Sequence, residues 1–316
     1  MTKKNNFESV NFKNLHLFDF NKIIHSWKLD FIQLEPGVFL GDLSQIIYED
    51  LLISYGRFST TIKQEGFSPE GVWTFAFIND AKIYWRNYKV QPNSIIIYAP
   101  GSEINAVSGA NFEVMTFSVS DEFLFETAKK EGMEEFYNSL QSIDVVAPKS
   151  PLRIKLRKAI FSEINKQLKN PNYNNRTAFK ESFTKKLLLL LKGSSVNMEK
   201  VSSKKRLKLL HDAEHYMTQH ITEPITISNI ASYLNVSERT LLYAFKNRFN
   251  MGPKAFMLVL KLNHSYHRLH KEKEIKSIAH IARDSGFWHM GQYYKDYKKF
   301  FGELPSQTLK KSSLNK

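Results

Sequence analysis

Two stretches of this chain repeat one pattern about fifty residues apart. The first reads Ile230-Ala231, Asn235-Val236, Phe245, Phe249, Asn250, Pro253; the second reads Ile281-Ala282, Gly286-Phe287, Tyr297, Phe301, Gly302, Pro305. In each, a small residue lies on a short helical segment, a turn follows four residues later, and a second amphipathic segment ends in aromatics. The small residue lets two helices cross closely and the turn sets their angle. That is the physical requirement of a helix-turn-helix, whose second helix enters the major groove of DNA. One such pattern is weak, because many helical hairpins share it; two in one basic segment are far more specific.

The charge agrees with a polyanionic partner. The 316 residues carry a net +14 with a pI near 9.6, and 20 of the 45 Lys and Arg lie from residue 201 onward against nine of the 31 acids. That segment is therefore at +11, and the first 200 residues at only +3. A solvated basic face is the plain alternative for such a bias, so the repeat has to decide. Other chemistries are poorly provided for. There is no cysteine, which excludes a disulfide framework, a thiolate zinc site and a cysteine nucleophile. No histidine lies between His25 and His211, so an iron or zinc centre in the first half is not expected, nor is any other cofactor. MTKKNNFESV has no apolar signal core, and the longest aliphatic run, Leu187 to Leu191, is too short to span a bilayer. A soluble, cytoplasmic protein without membrane contact is expected.

The segments that must position these residues fall into two classes. Residues 30–120 carry short Phe-, Tyr-, Ile- and Val-rich runs (Leu51–Phe58, Val72–Ile78, Ser94–Tyr98, Asn111–Val119) punctuated by turn pairs such as Pro36-Gly37, Asn79-Asp80 and Pro100-Gly101. This is the spacing of a β-sandwich or barrel. The period then becomes helical: Leu152, Leu156, Ile160, Ile164 and Leu168 recur every four residues from Pro151 to Asn170, and a second helix spans Thr177–Lys192. Those two stripes are candidate dimer surfaces. After Lys204 the pattern is helical throughout, with Thr226 and Ser237 suited to N-caps. Pro253 to Glu272 reads as one helix of roughly 30 Å at ~1.5 Å per residue, close to the ~34 Å turn of B-DNA. Lys271-Glu272-Lys273-Glu274 reads as its solvated end. The expected fold is α+β in two domains: a β-barrel with two helices at its end over residues 1–193, a linker over 194–203, and an all-α DNA-binding domain over 204–316, with helix-turn-helix units at about 227–248 and 278–301.

At Ile225-Thr226-Ile227-Ser228-Asn229-Ile230-Ala231, Ser237-Glu238-Arg239-Thr240-Leu241, Ile278-Ala279-His280-Ile281-Ala282, Gly286-Phe287 and Phe301-Gly302-Glu303-Leu304-Pro305-Ser306 the sequence resembles the AraC/XylS family of bacterial transcription regulators. The resemblance covers about residues 207–312. Residues Gln33 to Gly41 and Pro100 to Ile104 more loosely resemble the sensor half of some members, ethanolamine-responsive ones included. Asn250, Gly252 and Lys261 depart from the residues usual there. The resemblance implies a cupin-like barrel and base-facing positions at Arg239, Leu242 and Tyr243 in the first unit, and at Met290, Gly291, Gln292, Tyr294 and Lys295 in the second. Arg239 can fork onto guanine and Gln292 can pair with adenine. Lys246, Arg248, Lys298, Lys299 and Lys310 suit phosphates, as does His289, which equally suits an ordinary helix start. Leu241, Phe245, Tyr293, Tyr297, Phe300 and Phe301 are expected in the core.

Phe58, Trp73, Phe75, Tyr84 and Trp85, with Phe67, Phe77 and Tyr98, either line an apolar ligand pocket or fill the barrel. Arg57, Lys63, Lys82, Arg86 and Lys89 either meet an anionic effector or keep the surface solvated. The function expected is sequence-specific DNA binding by a non-enzymatic, dimeric transcription regulator. It would contact double-stranded DNA and RNA polymerase, with activation the expected sign and a small-molecule effector in the barrel. An orphan regulator controlled by abundance or a partner protein is the alternative.

Overall fold

A computed structural model of the chain describes residues 7–24, 27–79, 83–86, 88–173, 175–194, 199–200, 204–271 and 277–314. His25, Asp80, Lys82, Glu272 to Glu274 and most of the expected linker lie outside the described residues. By internal packing the chain divides into two compact units. One comprises residues 1–30, 40–59 and 64–199, and the other residues 31–39, 60–63 and 200–316.

The strands are β1 (Phe7–Leu15), β2 (Lys28–Gln33), β3 (Gly41–Tyr48), β4 (Leu51–Phe58), β5 (Ile62–Phe67), β6 (Val72–Ile78), β7 (Ile83–Trp85), β8 (Tyr88–Val90), β9 (Ile95–Tyr98), β10 (Glu103–Ser108), β11 (Phe112–Ser120), β12 (Val145–Val146) and β13 (Glu199–Lys200). They form two sheets, ordered β1-β3-β4-β11-β6-β9-β12 and β13-β8-β7-β10-β5-β2, and not the single closed barrel that the sequence suggested. Closure is not needed to bury the larger sheet, because helices cover it. The first-unit helices are α1 (Leu17–Ile23), α2 (Asp121–Lys130), α3 (Glu134–Leu140), α4 (Leu152–Lys169) and α5 (Arg176–Lys192).

Leu156, Ile160 and Ile164 of α4 and Phe183, Leu187, Leu188, Leu190 and Leu191 of α5 join Ile53, Phe75, Phe77 and Phe117 in one apolar core. The helical stripes read as candidate dimer surfaces are therefore spent on their own sheet. The same core settles most of the candidate ligand aromatics. Trp73 and Phe75 lie inside it, and Trp85 and Phe58 are also buried, Phe58 stacking on Phe112 at 5.7 Å. Tyr84 is half-buried. These rings fill the interior instead of lining a pocket, as expected where a strand such as β6 is buried at six successive positions.

The second unit holds α6 (Lys204–Gln219), α7 (Ile227–Tyr233), α8 (Glu238–Phe249), α9 (Pro253–Lys271), α10 (Ile278–Asp284), α11 (Met290–Phe301) and α12 (Pro305–Leu314). Residues 31–39 and 60–63 are built into it. The Gln33 backbone N–H donates to Asn263 Oδ1 at 3.0 Å, while Asn263 Nδ2 returns a bond to the Gln33 carbonyl at 2.9 Å, both buried. The Gly37 N–H donates to the Phe300 carbonyl at 2.8 Å. Lys63 is buried in an ion pair with Glu214, so it is neither a surface charge nor an effector contact. Arg86 is likewise engaged, donating to Asp144 at 2.6 Å.

Candidate nucleic-acid interface

The two repeats fold into two units of the same local construction. In the first, Thr226 caps α7 by accepting from the Asn229 N–H at 3.2 Å, and Asn229 Oδ1 accepts from the Thr226 N–H at 2.8 Å, a reciprocal capping box. In the second, Ser277 caps α10 by accepting from the His280 N–H at 3.1 Å. Ala231 and Ala282 are both buried. Their carbonyls accept from the Val236 and Phe287 N–H groups at 3.0 and 2.9 Å, across turns whose pivots, Asn235 (φ 52°) and Gly286 (φ 78°), are both left-handed. Asparagine is one of the few residues with a side chain that tolerates that region. At Gly286 the demand is absolute, since a Cβ would lie 2.0 Å from the Ile221 carbonyl oxygen.

Ser237 then starts α8, accepting from the Thr240 N–H at 3.1 Å, and His289 starts α11 with no side-chain cap bond. Both helices end on a left-handed residue, Asn250 (φ 57°) and Gly302 (φ 75°). The unusual Asn250 thus performs the same stop as the glycine of the second unit. The unusual Lys261, on α9, donates to the Gly286 carbonyl at 3.1 Å and pins the second turn; burial lowers its pKa. Leu241 and Phe245 seat α8, and Tyr293, Tyr297, Phe300 and Phe301 seat α11, as expected; Ala244 and Phe249 join them on α8. Tyr293 bonds Ser265 at 2.6 Å and Tyr297 donates to Thr308 at 2.9 Å, and burial pushes both phenols far above their ordinary pKa, keeping them neutral.

The opposite faces are open. Arg239, Leu242 and Tyr243 are exposed on α8; Gly291, Gln292, Tyr294 and Lys295 are exposed on α11, with Met290 half-buried. Tyr243 is 51% and Tyr294 36% exposed, which places both outside the core. Arg239 Nη2 donates to the Tyr243 hydroxyl at 3.1 Å with its guanidinium 5.2 Å from the ring centre. Gln292 Nε2 donates to Asp296 at 2.8 Å. Lys246, His289, Lys298, Lys299 and Lys310 are exposed. Arg248 is not: it lies four residues beyond Ala244 and three beyond Phe245, on the apolar side of α8, and is buried there. Buried there, Arg248 is no phosphate contact, contrary to the sequence expectation.

Trp288 was missed. It is 64% exposed in the turn directly ahead of α11. The signal was available, since Phe287 takes the buried position and the aromatic next to it has no core site left. An exposed indole at the start of a recognition helix can pack on sugar or a thymine methyl.

Among proteins of known type, residues 230–311 match a family described as a helix-turn-helix domain. The XylDLEGF operon transcriptional activator of Pseudomonas putida is 30% identical over 124 residues, 39% of this chain and 38% of that protein. The HTH-type transcriptional regulator ArgR of Pseudomonas aeruginosa is 34% identical over 91 residues, 29% of this chain and 27% of its own. Among solved structures, the AraC-like transcriptional activator CuxR is similar over 83% of this chain and 96% of its own, with 13% identity and a TM-score of 0.45. The helix-turn-helix domain is of the AraC/XylS type. The chain matches well under half the length of these curated relatives. Both relatives are named as transcription regulators. Among the described residues no helix is long and apolar enough to cross a membrane, and no group of three or more His, Asp or Glu side chains is disposed to hold a metal.

Proposed function

We propose that this chain is a sequence-specific transcription regulator that sets two recognition helices, α8 and α11, into adjacent major grooves of double-stranded DNA. The observation that carries the reading is the paired construction itself. Two helix–turn–helix units fifty residues apart each bury one face of their second helix and open the other, with Arg239, Leu242 and Tyr243 exposed in one and Gly291, Gln292, Tyr294 and Lys295 exposed beside a half-buried Met290 in the other. Arg239 and Gln292 read base edges. Lys246, His289, Lys298, Lys299 and Lys310 fix the register on phosphates. The connector α9, 19 residues and roughly 28 Å long, suits helices one DNA turn apart.

Residues 204–316 are the DNA-binding part, 194–203 a linker, and 1–193 a cupin-like sensing and dimerising part. The protein works in the cytoplasm as a homodimer, and a small molecule taken up by the first 193 residues governs how it engages RNA polymerase. Activation is the proposed sign, as in the name of the P. putida relative. Selection of fragmented genomic DNA on the full-length protein tests this. The expected product is a two-part motif with halves about one helical turn apart. Even recovery of all fragments would remove the reading.

A further inference from the structure

Trp288 and Gly291 lie three residues apart around the start of α11, and packing within the chain calls for neither. Trp288 is 64% exposed, whereas Trp73 and Trp85 are fully buried. Its neighbour Phe287 takes the buried position that this turn offers. Leaving so large an apolar ring in water forgoes the stabilisation that burial brings. Gly291 lies in the first turn of α11, where glycine holds a helix less well than alanine does. Gly286 and Gly302 sit in left-handed backbone, but Gly291 does not, and a Cβ there would meet nothing among the described residues within 4 Å. The fold thus has room for a side chain at 291 and carries none.

A duplex against the start of α11 accounts for both residues. Bare backbone at a glycine permits the close approach of a ligand. The N-terminal residues of a recognition helix are the ones that reach base edges. The chemistry of the indole selects what it meets there. An uncharged ring with a single N–H donor is a poorer phosphate ligand than Lys298 and Lys299, both exposed further along the helix. Its apolar face needs an apolar partner, and the one apolar group on the major-groove edges of the bases is the C5-methyl of thymine. The centre of a protein–protein contact is poor in charge, whereas His289, Gln292 and Lys295, all exposed, follow Trp288 within seven residues.

We propose that Trp288 is a specificity-determining residue that packs its indole on the C5-methyl of one thymine, and that the bare backbone at Gly291 lets the start of α11 sit deep enough in the groove to make that contact. The second unit then reads one base pair by apolar fit, beside whatever Gln292 reads by hydrogen bonds. This role rests on the regulator reading of α11.

The experiment replaces each thymine of the selected DNA site in turn by deoxyuridine, which pairs alike but lacks the methyl, and measures the affinity of the full-length protein at one fixed salt concentration. The wild-type protein is expected to lose about fourfold, ~0.8 kcal/mol, at one thymine in the half-site that α11 occupies. Trp288→Ala should weaken binding to the unmodified site by at least that factor and abolish the deoxyuridine effect at that thymine, leaving any effect at other thymines in place. Such non-additivity identifies the interacting pair. Gly291→Ala should melt at the same temperature or higher, yet bind the site several-fold more weakly. Quenching of tryptophan emission by acrylamide should fall when the site is added to the wild-type protein and stay constant in Trp288→Phe. No deoxyuridine effect at any thymine, an effect that survives Trp288→Ala at every thymine, or wild-type affinity in Trp288→Ala or Gly291→Ala would each overturn the proposal. Any of these alongside a recovered two-part motif removes the thymine contact alone, whereas even recovery of all fragments removes the regulator reading with it.

Discussion

Arg239 leaves the first turn of α8 with its guanidinium bonded to, and lying near the ring of, Tyr243. A fork held in this way loses less rotamer freedom when it meets a guanine. Tyr243→Ala is accordingly expected to weaken binding most at the base pair that Arg239 reads, in a comparison of sites differing at one position. Lys298→Ala should behave differently, lowering affinity for all duplexes alike and reducing the slope of log K against log salt by ~0.9. At this scale the sequence was legible wherever helical period decides. The six expected core residues, Leu241 and five aromatics, followed from it, and the burial of Arg248 could have been read from its spacing to Ala244 and Phe245. Two facts were out of reach because they depend on contacts distant in sequence: the seating of Lys63 against Glu214, and the attachment of Lys261 to the Gly286 carbonyl.

At the scale of single structural units, caps and turns carry the argument. Gly286 combines a left-handed φ with a carbonyl where a Cβ would go, so Gly286→Ala should disrupt the α10–α11 turn. It is expected to cost several kcal/mol in denaturant unfolding and to abolish recognition of one half of the DNA site while sparing the other. Thr226→Ala removes only one side of a capping box and should cost about 1 kcal/mol. Asp284, in the last turn of α10, is hydrogen-bonded by Arg268, and that bond together with the charge of Arg268 holds its carboxyl below the ordinary value of 3.8. A depressed carboxyl contributes stability above its unfolded pKa and loses it as pH falls through the folded one. Asp284→Asn should therefore flatten the loss of stability below about pH 4. The caps Thr226 and Ser237 and the turn pivots Asn235 and Gly286 were readable, because each rests on chemistry within four residues, whereas the Ser277 cap and helices α1, α2 and α3 were not read. The β-rich half was less so: strand runs matched β4, β6, β9 and β11, but alternation cannot distinguish one closed barrel from two sheets when helices bury the faces.

Over the whole molecule, charge and connectivity do different work. The +11 carried from residue 201 onward makes DNA affinity salt-dependent without setting its sequence. Connectivity decides stability, because the second unit takes in residues 31–39 and 60–63 as well as 200–316. A linear reading of composition does not reveal a unit assembled from three separate pieces of chain. Glu214→Ala leaves Lys63 buried without that partner and is expected to destabilise the full-length protein by about 3–5 kcal/mol, whereas Lys63→Met/Glu214→Leu should restore most of the loss. Residues 204–316 expressed alone should likewise melt below the intact chain, having lost the Gln33 partner of Asn263.

The central claim is that this surface reads sequence and does not merely hold phosphate. Its most direct test is base-by-base affinity for the selected site and all its single-position variants, for the wild-type protein and for Arg239→Ala. Arg239→Ala is expected to lose about 1–3 kcal/mol of discrimination at one base pair and to keep its preferences elsewhere. An equal loss at every sequence, with all preferences unchanged, would make Arg239 a phosphate contact and contradict the account.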